Sequence, residues 1–383
     1  MAIHPGLRWN CWPDPSDHLL LTAIVHRDEQ VARDAWNRSR ECVTAPTNDQ
    51  RRLFGLLAQR VAALEPNDPF LPELQAVART FRVENLQHFV NIDAVLAMLD
   101  DAGIEAVLLK GVALLLSVYD NTGLRPIADV DLWVRPDRHA DALAVFAAAG
   151  AVPDQRDHFG NHAMGMSGGP ISVDVHRAIS QELVAPGVAE NGWGTFAVVA
   201  APKALPSGRH PLILESADAL LHTIVHGLQW NGPVPLRWIA DAVQLLDAGA
   251  VDAQRLCALA EQFSIAPVIL DALRYIDEVT GGLVDPAMLR SLSACRTSRL
   301  TELRLRAFHE RPANPGEPPP MGFTRARLLQ RTKGDTPLRS LGHLPEVLRD
   351  QYHAASWLEL LRRMTGAALM GLGRRLAGSG ISD

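Results

Sequence analysis

A short apolar run, Ala106 to Leu109, ends in a Lys110-Gly111 turn, and eighteen residues after that glycine comes Asp129-Val130-Asp131. The segment from Ala128 to Val134 alternates, which predicts a strand. Residues two apart on a strand share a face. Asp129 and Asp131 therefore project side by side, while Val130, Leu132 and Val134 turn to the core. Paired carboxylates on one rigid strand repel, and the arrangement is costly unless a cation lies between them. A further alternating run, Ile171 to His176, offers a third carboxylate, Asp174, which its alternation favours over the neighbouring Asp154 and Asp157 on an expected loop. Three carboxylates and a glycine turn that opens a helix make a site for a divalent metal and a triphosphate.

The rest of the chain sets the frame. At 383 residues it exceeds the usual single-domain size, and 47% hydrophobic content is ample for buried cores. Residues 1–100 read as helical, with candidates at Asp17–Trp36, Arg51–Leu64 and Ala76–Leu99. Residues 104–180 alternate strand and helix: strands at Ile104–Leu109 and Ala128–Val134, helices at Val112–Tyr119 and Asp137–Ala149. Asp137 is a candidate N-cap there, and Gly150 suits the C-terminal end. His162–Met166 and Ile171–His176 form a hairpin pattern. Helical patterns follow at Ala217–Leu228, Leu236–Leu246, Asp252–Gln262, Pro267–Val279 and Leu344–Leu376. The expected fold is α/β (α+β), a small mixed sheet with large helical additions. The expected units are an N-terminal helical unit at 1–100, a catalytic core at 101–210, a helical unit at 211–310, a Pro-rich linker at 311–343 and a C-terminal helix at 344–383.

Charge and cysteine usage narrow the function classes. The net charge is −6, and no basic run stands out. Tight non-specific binding to nucleic acid needs many Lys and Arg contacts to phosphate, so a small-molecule or peptide acceptor fits better than duplex DNA. The four cysteines, Cys11, Cys42, Cys257 and Cys295, have no metal-ligand spacing and read as reduced thiols. The N-terminus has no basic region followed by an apolar core, and no apolar run is long enough to span a bilayer. A cytoplasmic protein is expected.

Lys110-Gly111, Arg125, Asp129-x-Asp131 and Asp174-x-His176, in that order, resemble the nucleotidyltransferase superfamily with its polymerase-beta-like fold. More narrowly they resemble a bacterial family of uncharacterised nucleotidyltransferases, often encoded beside peptide-modifying enzymes such as those of lasso-peptide pathways. The superfamily pattern is Gly-Gly or Gly-Ser, then Asp-x-Asp or Asp-x-Glu, then a lone third Asp. Lys110-Gly111 stands here in the Gly-Ser place, as the narrower family has it. The resemblance is clearest over roughly residues 85–250.

It implies Mg²⁺-dependent (or Mn²⁺-dependent) transfer of a nucleoside monophosphate from an NTP, such as ATP, to an acceptor. Asp129, Asp131 and Asp174 would be catalytic residues and metal ligands. Lys110, Gly111 and Arg125 would hold the triphosphate, with Arg125 gripping phosphate or fixing an aspartate; the plain alternative for Lys110 is a salt bridge to one of the aspartates, still within the site. The alternative is a catalytically inactive module of the same fold that binds a nucleotide, peptide or partner protein.

Other residues stay open at this point. His176 shares the face of Asp174 and either orders that carboxylate or is satisfied by neighbouring backbone. His222 and His226, one helical turn apart, read as packing histidines rather than zinc ligands. Arg237 and Asp241 read as an intrahelical ion pair, although the resemblance places their segment against the catalytic sheet. The basic C-terminal helix reads as packed rather than as a membrane-surface helix.

Overall fold

A computed structural model describes residues 12–40, 44–154, 162–168, 171–180, 183, 192–228, 235–295, 328, 341–351, 354 and 356–366. The Pro-rich segment, Asp157, Cys11 and Cys42 lie outside them. Two compact units emerge. The first comprises Pro13–Gln229 and Pro235–Thr297, and the second is built mainly from Ser298–Asp383.

The first unit opens with helices whose limits are set by capping. Helix α1 (Pro15–Val25) starts at Asp14, whose carboxylate accepts from the Ser16 and Asp17 N–H groups. Helix α2 (Glu29–Ser39) starts at Asp28, which accepts from Gln30 and Val31. A carboxylate at each start satisfies N–H groups that the helix itself leaves bare. The single helix expected over Asp17–Trp36 is thus two. His26 is extended, and Asp28 restarts the chain, while the apolar pattern runs on across the break. Likewise Arg51–Leu64 divides into α3 (Asn48–Arg51), closed by a Thr47–Gln50 capping box, and α4 (Phe54–Leu64). The long α5 (Leu71–Asp101) carries Pro72 in its first turn, where no N–H is missed.

The sheet follows. Its strands are β1 (Ala106–Leu108), β2 (Val130–Val134), β3 (Val152–Pro153), β4 (Ala163–Gly168), β5 (Ile171–His176), β6 (Ala201–Pro202) and β7 (Leu212–Ile213). Helix α6 (Lys110–Ser117) leaves β1, and α7 (His139–Ala148) follows β2. The strand order is β3-β4-β5-β2-β1-β7-β6. β4 and β5 form the expected antiparallel hairpin. β2 runs parallel to β5 and antiparallel to β1, so it is central. Every residue of β2 is buried, Trp133 as deeply as Leu132. The strand expected to have one polar face is covered on both sides, and Asp131 is enclosed with it.

Asp137 does not cap α7. Its carboxylate takes the Arg135 guanidinium at 2.6 and 2.8 Å instead, and a 3₁₀ turn over Pro136–Arg138 leads into the helix. Gly150 ends the segment with φ +94°, as its position predicts.

After the short α8 (Trp193–Phe196), the unit closes with α9 (Ser216–Leu228), α10 (Arg237–Asp247), α11 (Ala253–Gln262), α12 (Ala266–Thr280) and α13 (Pro286–Ala294). α9 packs on α10, α11 and α12 through an almost wholly buried apolar face that includes Leu220, Leu221, Ile224 and Val225. In the second unit, α14 (Leu344–Gln351) precedes a helix over 357–366, with Ala354 outside both. The continuous helix expected from Leu344 is therefore interrupted. Arg349 stacks over Trp357 at 5.0 Å. No helix among the described residues is long and apolar enough to cross a membrane.

Candidate active site

Register brings the predicted carboxylates together. Asp131 on β2 pairs directly with Asp174 on the parallel β5, and direct neighbours in a sheet present side chains to the same face. Two residues further, His176 takes that face as well. Ligand atoms of Asp131, Asp174 and His176 all lie within 4.8 Å of one another. Asp131 is 2% exposed and His176 0%. Asp129 precedes the first residue of β2 and is exposed. It stands beside the trio without joining it. Partial burial of its carboxyl and the Asp131 charge raise that group above the usual range, against the pull of Lys110.

A fourth acid adjoins the third. A Cβ placed on Gly165 of β4 would lie 2.6 Å from Asp154 Oδ2 and 3.1 Å from Asp174 Oδ1. The missing side chain leaves room for both carboxylates.

Lys110 stands at the β1–α6 turn. Its Nζ donates to Asp131 Oδ1, and His176 Nε2 meets the same oxygen at 3.0 Å. Burial alone would raise the Asp131 carboxyl, but Lys110 and His176 outweigh it and hold that group well below the ordinary carboxylate range. Lys110 has φ +49°, the left-handed region, which costs a residue with a Cβ about 1–3 kcal/mol. Gly111 follows under a close contact, since a Cβ there would lie 2.5 Å from Arg125 Nη1. The turn therefore carries a strained lysine in the place where the superfamily pattern has glycine.

Arg125 fixes an aspartate, but one from the helical part. Its Nε and Nη2 donate to Asp241 Oδ1 and Oδ2 at 2.7 and 2.9 Å, and the Tyr119 hydroxyl donates to Asp241 Oδ1 at 2.7 Å. The Asp241 carboxylate outweighs the effect of burial and raises the Arg125 guanidinium. Burial and the Asp241 charge push the Tyr119 hydroxyl well up. The ion pair expected within α10 is replaced, because Asp241 is taken by Arg125. Arg237 donates to the Pro126 carbonyl at 3.3 Å, and burial beside Arg125 brings it down to about 10.

Asn85 on α5 holds the same loop. Its Nδ2 donates to the Thr122 and Arg125 carbonyls at 2.6 and 2.7 Å, and its Oδ1 accepts from the Ile127 N–H at 2.8 Å. Asn85 is fully buried. Nothing in its local sequence marks it out. A polar residue on the buried stripe of a long helix was the available signal.

Two histidines of α9 feel the Lys110 charge. Burial and the nearby ammonium push His222 down to about 3 and His226 well below its usual range. Their rings lie 5.9 Å apart, and among the described residues they join no metal-ligand trio. His162 lies edge-on to His176 at 5.3 Å.

The chain belongs to the family of uncharacterised nucleotidyltransferases, whose model matches residues 46–281, more than half of the sequence. That span contains all of the site residues above. Among solved structures, the chain is similar to the antibiotic-resistance factor ANT(2'')-Ia, whose solution structure is described as revealing substrate-regulated conformation dynamics. The identity is 15%, over 49% of this chain and 97% of that one, with a TM-score of 0.33. Among curated proteins none matches.

Proposed function

We propose that this nucleotidyltransferase moves a nucleoside monophosphate from an NTP to a small-molecule or peptide acceptor and releases pyrophosphate. The observation that carries the reading is the direct pairing of Asp131 with Asp174 at the centre of the sheet, beside Asp129 and Lys110. Acids so crowded fit a divalent cation, and their oxygen donors suit Mg²⁺ or Mn²⁺. Asp131 and Asp174 would hold it, with Asp129 turning in from the edge. When bound, such an ion screens charge on the triphosphate and acidifies an acceptor hydroxyl.

The chain's own residues do the rest. Lys110 leaves Asp131 and pairs with the triphosphate at the start of α6, where bare N–H groups also attract anions. Gly111 lets the backbone come close. Arg125, committed to Asp241, holds the turn from behind and adds positive potential. Asp174 takes the proton of the acceptor hydroxyl as its oxygen bonds to the α-phosphorus. The bond from that phosphorus to the bridging oxygen breaks, and pyrophosphate carries away the electron pair. Positioning and electrostatic clamping supply most of the rate in such a transfer.

A second reading has one observation in its favour. Lys110 already neutralises Asp131 from within the fold, as it would in a module that binds a nucleotide or partner without turnover. Incubation with each labelled NTP, Mg²⁺ or Mn²⁺ and a cell extract separates the two. Pyrophosphate release with label transferred to an acceptor supports the enzyme. Nucleotide binding with no release across all NTPs supports the module.

A further inference from the structure

His176 has no place in the chemistry above, yet it is fully enclosed. Its single polar side-chain contact among the described residues is Nε2 to Asp131 Oδ1, at 3.0 Å. Its Nδ1 is buried and has no partner there. Strand alternation puts it on the Asp174 face, and parallel pairing puts that face beside Asp131.

Two ligands at right angles about one ion, each bonded at about 2.1 Å, lie about 3 Å apart. The Nε2–Oδ1 separation of 3.0 Å, a hydrogen-bond length in this structure, is also compatible with two such ligands. The Asp174 carboxylate completes a trio whose donor atoms all lie within 4.8 Å of one another. The rival for the third place, Asp129, is exposed and outside the trio. Two carboxylates and one imidazole occupy one side of an ion and leave its other positions for triphosphate oxygens and water. Carboxylates alone suit Mg²⁺, whereas an imidazole nitrogen favours first-row transition ions.

We propose that His176 is a direct metal ligand together with Asp131 and Asp174, so that the site takes a first-row ion of the Mn²⁺ class in preference to Mg²⁺. This rests on the functional reading above and specifies its metal centre. His176 would exchange its contact with Asp131 for a shared ion, as Lys110 exchanges its own for the triphosphate.

The test uses the full chain, Mn²⁺ as the probe and a non-hydrolysable NTP analogue. Pulsed electron paramagnetic resonance of bound Mn²⁺ should show a directly coordinated ¹⁴N. Protein grown with ¹⁵N-histidine should replace that signal with its ¹⁵N counterpart. His176→Asn should lose it, while His162→Asn and His222→Asn keep it. The last two variants assign the nitrogen even where His176→Asn does not fold. Competition should show wild type preferring Mn²⁺ over Mg²⁺ by about tenfold or more, with the preference reduced in folded His176→Asn. Mn²⁺ bound with no nitrogen coupling overturns the proposal and leaves the nucleotidyltransfer reading standing. A coupling lost in His162→Asn or His222→Asn also overturns it. No Mn²⁺ binding even with the analogue, together with no pyrophosphate release, would remove the functional reading as well.

Discussion

Asp241 and Asp131 are both buried, 3% and 2% exposed, and both meet a cation, yet their surroundings differ in kind. At Asp241 both oxygens are filled, by the Arg125 fork and the Tyr119 hydroxyl. Asn85 pins the backbone that carries Arg125. At Asp131 both side-chain contacts among the described residues fall on Oδ1. One ammonium there meets Asp131, with Asp129 and Asp174 close by, and it stands on a strained backbone. The first cluster is closed and fixes shape. The second has negative charge in excess and calls for a further cation. A buried, fully bonded ion pair is weak evidence for function, whereas crowded like charges held in register are strong evidence.

The contrast can be broken most sharply at the open cluster. Asp129→Asn with Asp131→Asn should abolish Mg²⁺-dependent NTP binding and leave the fold intact, since asparagine keeps an oxygen acceptor for Lys110 and His176 and the Asp129 change removes a charge that Asp131 disfavours. Unchanged Mg·NTP affinity by calorimetry would place the metal elsewhere. At the closed cluster, Arg125→Met strands the Asp241 charge and should cost about 3–5 kcal/mol of stability. Adding Asp241→Leu should restore most of it, as chemical denaturation can measure. If the single variant is as stable as wild type, the Arg125–Asp241 pair is not the brace described.

Lys110→Gly addresses the strain and the charge together. The left-handed turn should relax, which offsets part of the cost of leaving buried Asp131 without its ammonium, so thermal stability should fall less than in Lys110→Ala. Triphosphate affinity should nonetheless fall by about tenfold to a hundredfold, the worth of a charge-assisted contact of about 1.5–3 kcal/mol. An equal loss for the unphosphorylated nucleoside would contradict a phosphate role.

The smallest effect concerns pH. His222 is held down to about 3 by burial and Lys110, against an unfolded value near 6.5. Between those values the unfolded chain binds the extra proton, so stability falls as pH drops below about 6.5. The slope is about 1.4 kcal/mol per pH unit for this one group. It should be shallower in His222→Gln, and an identical pH profile in that variant would show that His222 is not buried neutral.

The strands and three of the acids were legible because they obey a local rule. Alternation in Ala128–Val134 and Ile171–His176 gives both the elements and the faces, and the order of Lys110-Gly111 and the acids gives the family. The partners were not legible, because they are fixed by contacts between distant segments. Arg125 and Asp241 lie 116 residues apart and Asn85 lies 40 from Arg125, and no periodicity relates them. His176 was seen on the right face, but its reach to Asp131 depends on which strand pairs with β5. The break between α1 and α2 was hidden for a different reason. Apolar spacing persists across Asp28, and the cap outweighs it.

The most direct test of the central claim is Asp174→Asn, assayed on one preparation for nucleotide affinity and for pyrophosphate release. A group that acts on the acceptor oxygen contributes chiefly in the transition state, and loss of a positioned base costs about 10²–10⁴-fold. On this account, pyrophosphate release should fall by that factor, while binding of the metal–NTP complex, which keeps Asp131, should weaken far less. Full release from Asp174→Asn would contradict it.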